Sequence, residues 1–450
     1  MAAQGSRIPR GKLLSYSAAE FPMSMASTPV SLFIPAFYTQ DLGLGMAAVG
    51  GILMLSRFWD VVTDPVIGYL TDRTRSPIGR RKPWIIASVP IVMIAIYNLF
   101  FPPDDADETF LLIWIMALWF GWTLFNIPYY AWGAELSTSY TERTRVTGWR
   151  TTAGLLGTLI AIAVPAASQA LFGWGGRSGE MIYMIGIGVL LLTPLLVMPV
   201  VAYVPERSDF VPAQMNVLAG LRVMWSNGPF RRLLFAFVFG SLAVALSAPL
   251  FVIFISHVIE DPTAAPRVVL GYYAGNLLGI PFWVWLAQRT DKHITWLFSI
   301  SLMGLMFPQF LLLGPGDTWL AAFLLFMVGI GGGNMAVVPT SMKADVIDLD
   351  SLESSEDRAG LFFAAWSTAT KLVGALGVGI SLPALAYLGF DPTVVNEPEE
   401  LFSLRAWFSL VPVLFYLASA ALIIGYPITR ARHAQIRAEL EARKLSSDAG

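Results

Sequence analysis

Stretches of about 20 mostly apolar residues recur along this chain, each long enough to cross a hydrocarbon core of roughly 30 Å at 1.5 Å per residue. About twelve are legible, at approximately 14–38, 46–70, 84–101, 110–134, 147–172, 181–204, 232–255, 268–287, 295–313, 319–342, 361–388 and 402–429. With 56% hydrophobic and 13% charged residues, the chain carries more apolar surface than a soluble core can hide. Lipid must cover the rest. Helices and closed barrels alone satisfy every backbone group in lipid, and unbroken apolar runs lack the alternation of a barrel strand. The expected fold is an all-α integral membrane protein.

Lysine and arginine near span ends are retained on the cytoplasmic side, so their distribution orients the chain. All but six of its 29 lysines and arginines fall in one set of alternate loops and the termini, Lys343 and Arg358 being counted there. Acids gather on the other side, in Asp104-Asp105-Ala106-Asp107-Glu108 and Glu397-Pro398-Glu399-Glu400. The pattern predicts a multi-pass protein of the plasma (inner) membrane with both termini cytoplasmic. Residues 1–12 show no cleavable signal. With no cysteine and three scattered histidines, neither a disulfide framework nor a thiolate metal site is expected, and a net charge of −2 gives no footprint for nucleic acid.

The longest basic-side connection follows the sixth span and divides the helices six and six. The expected organisation is an N-terminal six-helix bundle over 1–204, a cytoplasmic linker over 205–229, and a C-terminal six-helix bundle with its tail over 230–450. Weak internal echoes support two related halves: Gly68 to Arg73 against Trp285 to Asp291, and Ala134-Glu135 against Ala344-Asp345. Such halves, related by an axis along the membrane normal, place a substrate between them near the midplane.

An ionisable side chain at that depth costs at least about 2.5–3.5 kcal/mol, so each marks a candidate site. Six stand there: Glu20, Arg57, Asp60, Asp64, Arg150 and Lys371. Arg57, Asp60 and Asp64 are spaced i, i+3, i+7 on one helix face. Two carboxylates this close repel unless a cation lies between them or one takes a proton. A hard cation prefers oxygen ligands, which Thr63 supplies alongside the candidate metal ligands Asp60 and Asp64, and Pro65 frees a backbone carbonyl. An Arg57–Asp60 ion pair is the structural alternative. Lys371, from the other half, is placed to face both acids. In the fourth span, Asn126 and Tyr130 lie among aromatic rings that suit the apolar face of a polyol.

The run from Arg57 to Pro65, then Gly68, then Arg73 to Trp84, resembles the signature of the glycoside-pentoside-hexuronide:cation symporters, the melibiose-permease-like family of the major facilitator superfamily. Asn126 to Tyr129, Glu142-Arg143, and Ala344 to Asp348 leading to Arg358 are similar to further family motifs. The resemblance implies twelve transmembrane helices in two pseudo-symmetric six-helix bundles, and symport of a glycoside-like solute with Na⁺, Li⁺ or H⁺. It implies a cation site of Asp60, Thr63, Asp64 and Thr123 with Lys371 near it, and Glu20, Asn126, Tyr130 and Arg150 facing the solute, with Lys371 as a further substrate-binding residue. Sugar porters of the family carry Asp where Glu20 and Asn126 stand, Lys at Ala19 and Trp at Tyr130. Related proteins on this scaffold move lysolipids, which is the alternative cargo.

A symporter also needs contacts that make and break as its halves rock. The loop from Asp72 to Lys82, with Arg73 and Arg80, would meet Glu135, Glu142 and the Asp345-Asp348-Asp350 group when the cytoplasmic side closes, with Arg57, Arg143 and Arg358 as further gating or structural charges. An enzyme is the rival class, since Asp60, Asp64 and Asp72 resemble a metal-dependent phosphotransferase pattern. No second acidic pair and no nucleotide-phosphate loop accompany them. A channel fits poorly, because one half lacks the acids.

Overall fold

The computed structural model describes residues 8–137, 140–174, 178–206, 225–354 and 359–448. Among them, eleven helices are long and apolar enough to cross a membrane. They are the second to the twelfth spans. The second is Met46–Arg73, the third Lys82–Phe100, the fourth Glu108–Glu135, the fifth Tyr140–Phe172 and the sixth Ser178–Tyr203. The seventh is Gly228–Ser247 continued by Phe251–His257, the eighth Ala265–Arg289, the ninth Lys292–Met306, the tenth Thr318–Ser354, the eleventh Ala359–Tyr387 and the twelfth Pro398–Ile423. A polar helix, Arg430–Asp448, follows.

The first span differs from the single helix expected. It is made of Arg10–Ala18, Glu20–Leu32, the turn Ile34–Ala36 and a π-helical turn Phe37–Asp41. Pro29 and Pro35 each lack a backbone N–H, and π turns concentrate where a helix is interrupted for function. The break at Ala19 sits one residue before Glu20, against glycines of the fifth span. A Cβ on Gly154 would stand 3.1 Å from the Glu20 Cγ, so the missing side chain lets the two spans approach there. By contrast, the second span continues unbroken through Pro65.

The spans form two six-helix bundles that meet chiefly where the second span packs on the eleventh and the fifth on the eighth. On the acid-rich side the halves are closed. A Cβ on Gly50 would stand 2.7 Å from the Pro383 ring, and Leu53 and Leu382 are buried. Gln40 of the first span lies 3.4 Å from the His257 ring of the seventh, crossing between the bundles. Towards the basic side the bundles part, leaving Tyr130 39% and Phe363 50% exposed.

Among the described residues, basic-side segments are braced inside their own halves. The Glu206 carboxylate accepts from the backbone N–H groups of Arg81 (2.9 Å) and Lys82 (2.8 Å), where the third span begins and its dipole favours an anion. Buried Arg81 pairs with Asp72 at 2.6 Å and Glu135 at 2.8 Å, and Arg80 reaches Glu135 at 2.9 Å. In the other half Lys292 pairs with Asp345 at 2.6 Å. Glu135 and Asp345 are echoed positions, and both hold a basic partner from the loop two spans earlier. Glu142 pairs with Arg145 rather than with the Asp72 to Lys82 loop, and Arg73 lies over the Tyr69 ring. The Arg143 side chain and Arg358 lie outside the described residues.

Lys343, counted above as a loop anchor, is buried within the tenth helix, its ammonium 4.1 Å from the Phe363 ring centroid and 4.9 Å from that of Trp366. Lys343 is no loop anchor because this helix runs to Ser354, well past the end of its apolar window.

Candidate cation and solute site

Asp60 and Asp64 are one turn apart, on the face of the second span turned toward the fourth and eleventh. Asp60 is buried. The Thr123 hydroxyl of the fourth span lies 2.7 Å from Asp60 Oδ1 and 3.0 Å from Asp64 Oδ1. Its single proton can serve one carboxylate at a time, so Thr123 ties the two acids into one unit. From the opposite half, the Lys371 ammonium pairs with Asp60 Oδ2 at 3.1 Å and with Asp64 Oδ2. Exposure is graded: 5% for the Asp60 side chain, 21% for Asp64 and 27% for Lys371. Asp64 and Lys371 are therefore open to the parted side, with Asp60 behind them.

Thr63 is buried, and its hydroxyl donates to the Asp60 carbonyl of its own helix at 3.3 Å. Its remaining oxygen lone pairs are the ligand it can offer. The alternative Arg57–Asp60 ion pair does not form. Both Asp60 oxygens are already engaged by Thr123 and Lys371, and the Arg57 guanidinium stacks on the Trp119 ring of the fourth span, 3.5 Å from its centroid.

A second polar cluster lies nearer the basic side. The Tyr130 hydroxyl donates to Glu20 Oε1 at 3.0 Å, and the Arg150 guanidinium sits 4.1 Å from the Tyr130 ring centroid. Glu20 Oε2 and Asn126 Oδ1 are both buried without a hydrogen-bond partner, which leaves acceptors for a hydroxyl-bearing ligand. Behind this cluster, Tyr16 donates to the Tyr129 carbonyl at 2.8 Å and Tyr129 to the Tyr16 carbonyl at 2.6 Å, with the rings stacked at 4.5 Å. That reciprocal clasp fixes the first span on the fourth. Sequence reasoning missed it, although Tyr16 and Glu20 share a helix face at i, i+4.

Of the candidate residues, Asp60, Asp64, Thr123 and Lys371 come together as one group, and Glu20, Tyr130 and Arg150 as another with Asn126 nearby on the fourth span. Arg57 stands apart from both.

The model of the family described as MFS/sugar transport protein matches residues 15–430. The chain belongs to the MFS/sugar transport protein family. It is 27% identical to an uncharacterized symporter of Synechocystis, over 96% of this chain and 97% of that protein. It is also 27% identical to the human sodium-dependent lysophosphatidylcholine symporter 1, over 92% of this chain and 82% of the relative. A bacterial homologue of the human lysosomal transporter Spinster, solved inward-facing and unoccupied, superposes with a TM-score of 0.62 at 12% identity, covering 94% of this chain and 98% of that one. That likeness carries the fold: a multi-pass membrane protein with two six-helix halves.

Proposed function

We propose that this family member is a cation-coupled secondary symporter that takes up a glycoside-like solute by alternating access. The observation that carries this reading is the Asp60–Asp64–Thr123–Lys371 cluster, which spans both halves at membrane depth. Na⁺, with H⁺ or Li⁺ as substitutes, binds the carboxylate oxygens together with Thr123 and Thr63, a hard-cation oxygen set. Na⁺ and the Lys371 ammonium compete for the same oxygens. Cation entry therefore loosens the electrostatic tie between the second and eleventh spans, and this links ion binding to rocking of the halves. The sodium dependence of the lysophosphatidylcholine relative supports Na⁺ as the coupling ion.

Glu20, Asn126, Tyr130 and Arg150 receive the solute. The carboxylate and amide oxygens accept from hydroxyls, the guanidinium donates, and the Tyr130 ring offers an apolar face. The protein resides in the plasma membrane with both termini cytoplasmic, and the parted basic side is the cytoplasmic opening. No chemistry is performed on the solute. Imposing a Na⁺ gradient on proteoliposomes and following a panel of radiolabelled glycosides tests this: accumulation above equilibrium, abolished by collapsing the gradient, is expected, and equilibration alone contradicts coupling.

The human relative favours a second cargo, a lysolipid, on the same ion site.

A further inference from the structure

The first span is interrupted at Ala19, between Arg10–Ala18 and Glu20–Leu32. A helix end leaves its last four carbonyls without donors in their own helix. One of them, the Tyr16 carbonyl, is met from the fourth span, where the Tyr129 hydroxyl donates to it at 2.6 Å. The bond is returned: the Tyr16 hydroxyl donates to the Tyr129 carbonyl at 2.8 Å. Past the break the next residue of the fourth span takes over, Tyr130 donating to Glu20 Oε1 at 3.0 Å. Two consecutive tyrosines therefore hold the first span at Tyr16 and at Glu20, one turn apart and on one face.

The two clasping tyrosines do not reach the parted cavity. Tyr16 and Tyr129 are fully buried, whereas Tyr130 is 39% exposed. Their rings stack with centroids 4.5 Å apart, and the Trp132 indole meets the Tyr16 ring edge-on. Gly133 makes the room, since a Cβ there would stand 2.1 Å from the Tyr16 hydroxyl oxygen. From the fifth span, the Arg150 guanidinium faces the same hydroxyl. A hydroxyl that gives its single proton to the Tyr129 carbonyl keeps its lone pairs for that guanidinium. Through one oxygen, Tyr16 thus joins the fourth span to the cation of the solute cluster. The ion cluster draws on none of these contacts. Asp60 and Asp64 belong to the second span, and Thr123 precedes Tyr129 by six residues, about 9 Å along the helix.

Resting on the symport reading, we propose that Tyr16 and Tyr129 are positioning residues for the solute. Their reciprocal clasp sets the break in the first span so that Glu20, Tyr130 and Arg150 stand at the spacing a solute bridges, and neither tyrosine touches the solute. Solute affinity then depends on two hydroxyls outside the site, and Na⁺ affinity does not. Both bonds hold one joint, so losing either undoes what the other holds, and their effects on solute binding do not multiply.

The test uses the full chain in nanodiscs with Na⁺ present and isothermal titration of p-nitrophenyl α-D-galactoside, p-nitrophenyl β-D-glucoside and p-nitrophenyl β-D-glucuronide. For the probe that wild type binds most tightly, Tyr16→Phe and Tyr129→Phe should each raise Kd roughly fivefold, the factor carried by one hydrogen bond. The double variant should raise it no further than the larger single effect. Gly133→Ala, which crowds the Tyr16 hydroxyl without removing it, should also weaken the probe; if it fails to fold, the two Phe variants decide. In proteoliposomes the same probe should show a raised KM with Vmax kept. The Na⁺ Kd should stay within about twofold throughout, as sites without shared partners act independently. Phe125→Leu controls for lost packing: its ring stacks on Tyr129 at 4.9 Å, so the variant should lower the thermal midpoint yet leave the probe Kd unchanged. Wild-type probe affinity in both Phe variants, Na⁺ and probe affinities falling together, or an equal loss in Phe125→Leu each overturns the proposal. Probe uptake driven by Na⁺ separates the two levels: where it persists beside any of these results, the clasp alone is rejected. If wild type binds no probe, the glycoside reading fails and the proposal with it.

Discussion

Lys371 of the eleventh span reaches across the molecule to Asp64 of the second and lies 3.1 Å from Asp60 beside it, so one ammonium from the C-terminal half sits against both acids of the N-terminal half. An ion that binds those carboxylates must displace or share with that ammonium.

Replacing Lys371 removes the competitor. Lys371→Gln should raise apparent Na⁺ affinity by roughly tenfold, equivalent to about 1.4 kcal/mol, while accumulation driven by the ion gradient falls because binding no longer alters the tie between halves. Isothermal titration with Na⁺ and gradient-driven uptake measure the two effects separately. Unchanged or weaker Na⁺ binding contradicts the competition.

Thr123→Val keeps the shape of the side chain and deletes the hydroxyl shared by Asp60 and Asp64. A buried carboxylate that loses its donor costs about 1–3 kcal/mol. Lower thermal stability and a reduced Na⁺-dependent shift are both expected. A full Na⁺ shift in this variant would remove Thr123 from the ion site.

Asn126 Oδ1 has no partner within the protein, so Asn126→Ala should cost little stability, within about 0.5 kcal/mol, yet alter which solutes are taken up. Uptake across a solute panel checks it. An unaltered panel places the solute elsewhere.

Much of the proposed ion site is legible in the sequence because a charge inside an apolar run is conspicuous whatever it contacts. Asp60, Asp64 and Lys371 stand out for that reason, and the echo of Glu135 at Asp345 corresponds to matching ion pairs in the two halves. What stays hidden depends on distant partners. Nothing near Arg57 in the chain announces the Trp119 ring, whose presence accounts for the missing Arg57–Asp60 pair. Lys343 reads as a loop anchor because hydropathy marks where the apolar window stops and not where the helix does. The break before Glu20 does have a local signal, since Pro22 has no N–H to give the Ala18 carbonyl, whereas the close approach of the fifth-span glycines to it does not.

On the acid-rich side, Gly50 packs against Pro383 across the two halves. Gly50→Val should prevent that closure and shift the population toward a state open on the acidic side. The chain has no cysteine, so a single Ser31→Cys reporter labels cleanly. Faster labelling by a membrane-impermeant maleimide is expected in the Gly50→Val background. An unchanged rate would mean that closure does not depend on this contact.

Arg81 is buried between Asp72 and Glu135. Breaking a fully buried pair costs about 3–5 kcal/mol, but Glu135 keeps Arg80 at 2.9 Å and Asp72 is 39% exposed, so the loss here falls below that range. Arg81→Ala should therefore lower the thermal midpoint moderately, whereas Arg437→Ala, on an exposed tail pair, should leave it nearly unchanged.

In the proposed cycle Asp60 and Asp64 hold the coupling ion. Its most direct measurement is the Na⁺-dependent rise in thermal midpoint of the purified protein, with K⁺ at equal ionic strength as control, in wild type and in Asp64→Asn. A rise in wild type that disappears in a folded Asp64→Asn protein is predicted; the same Na⁺-specific rise in both would contradict the account.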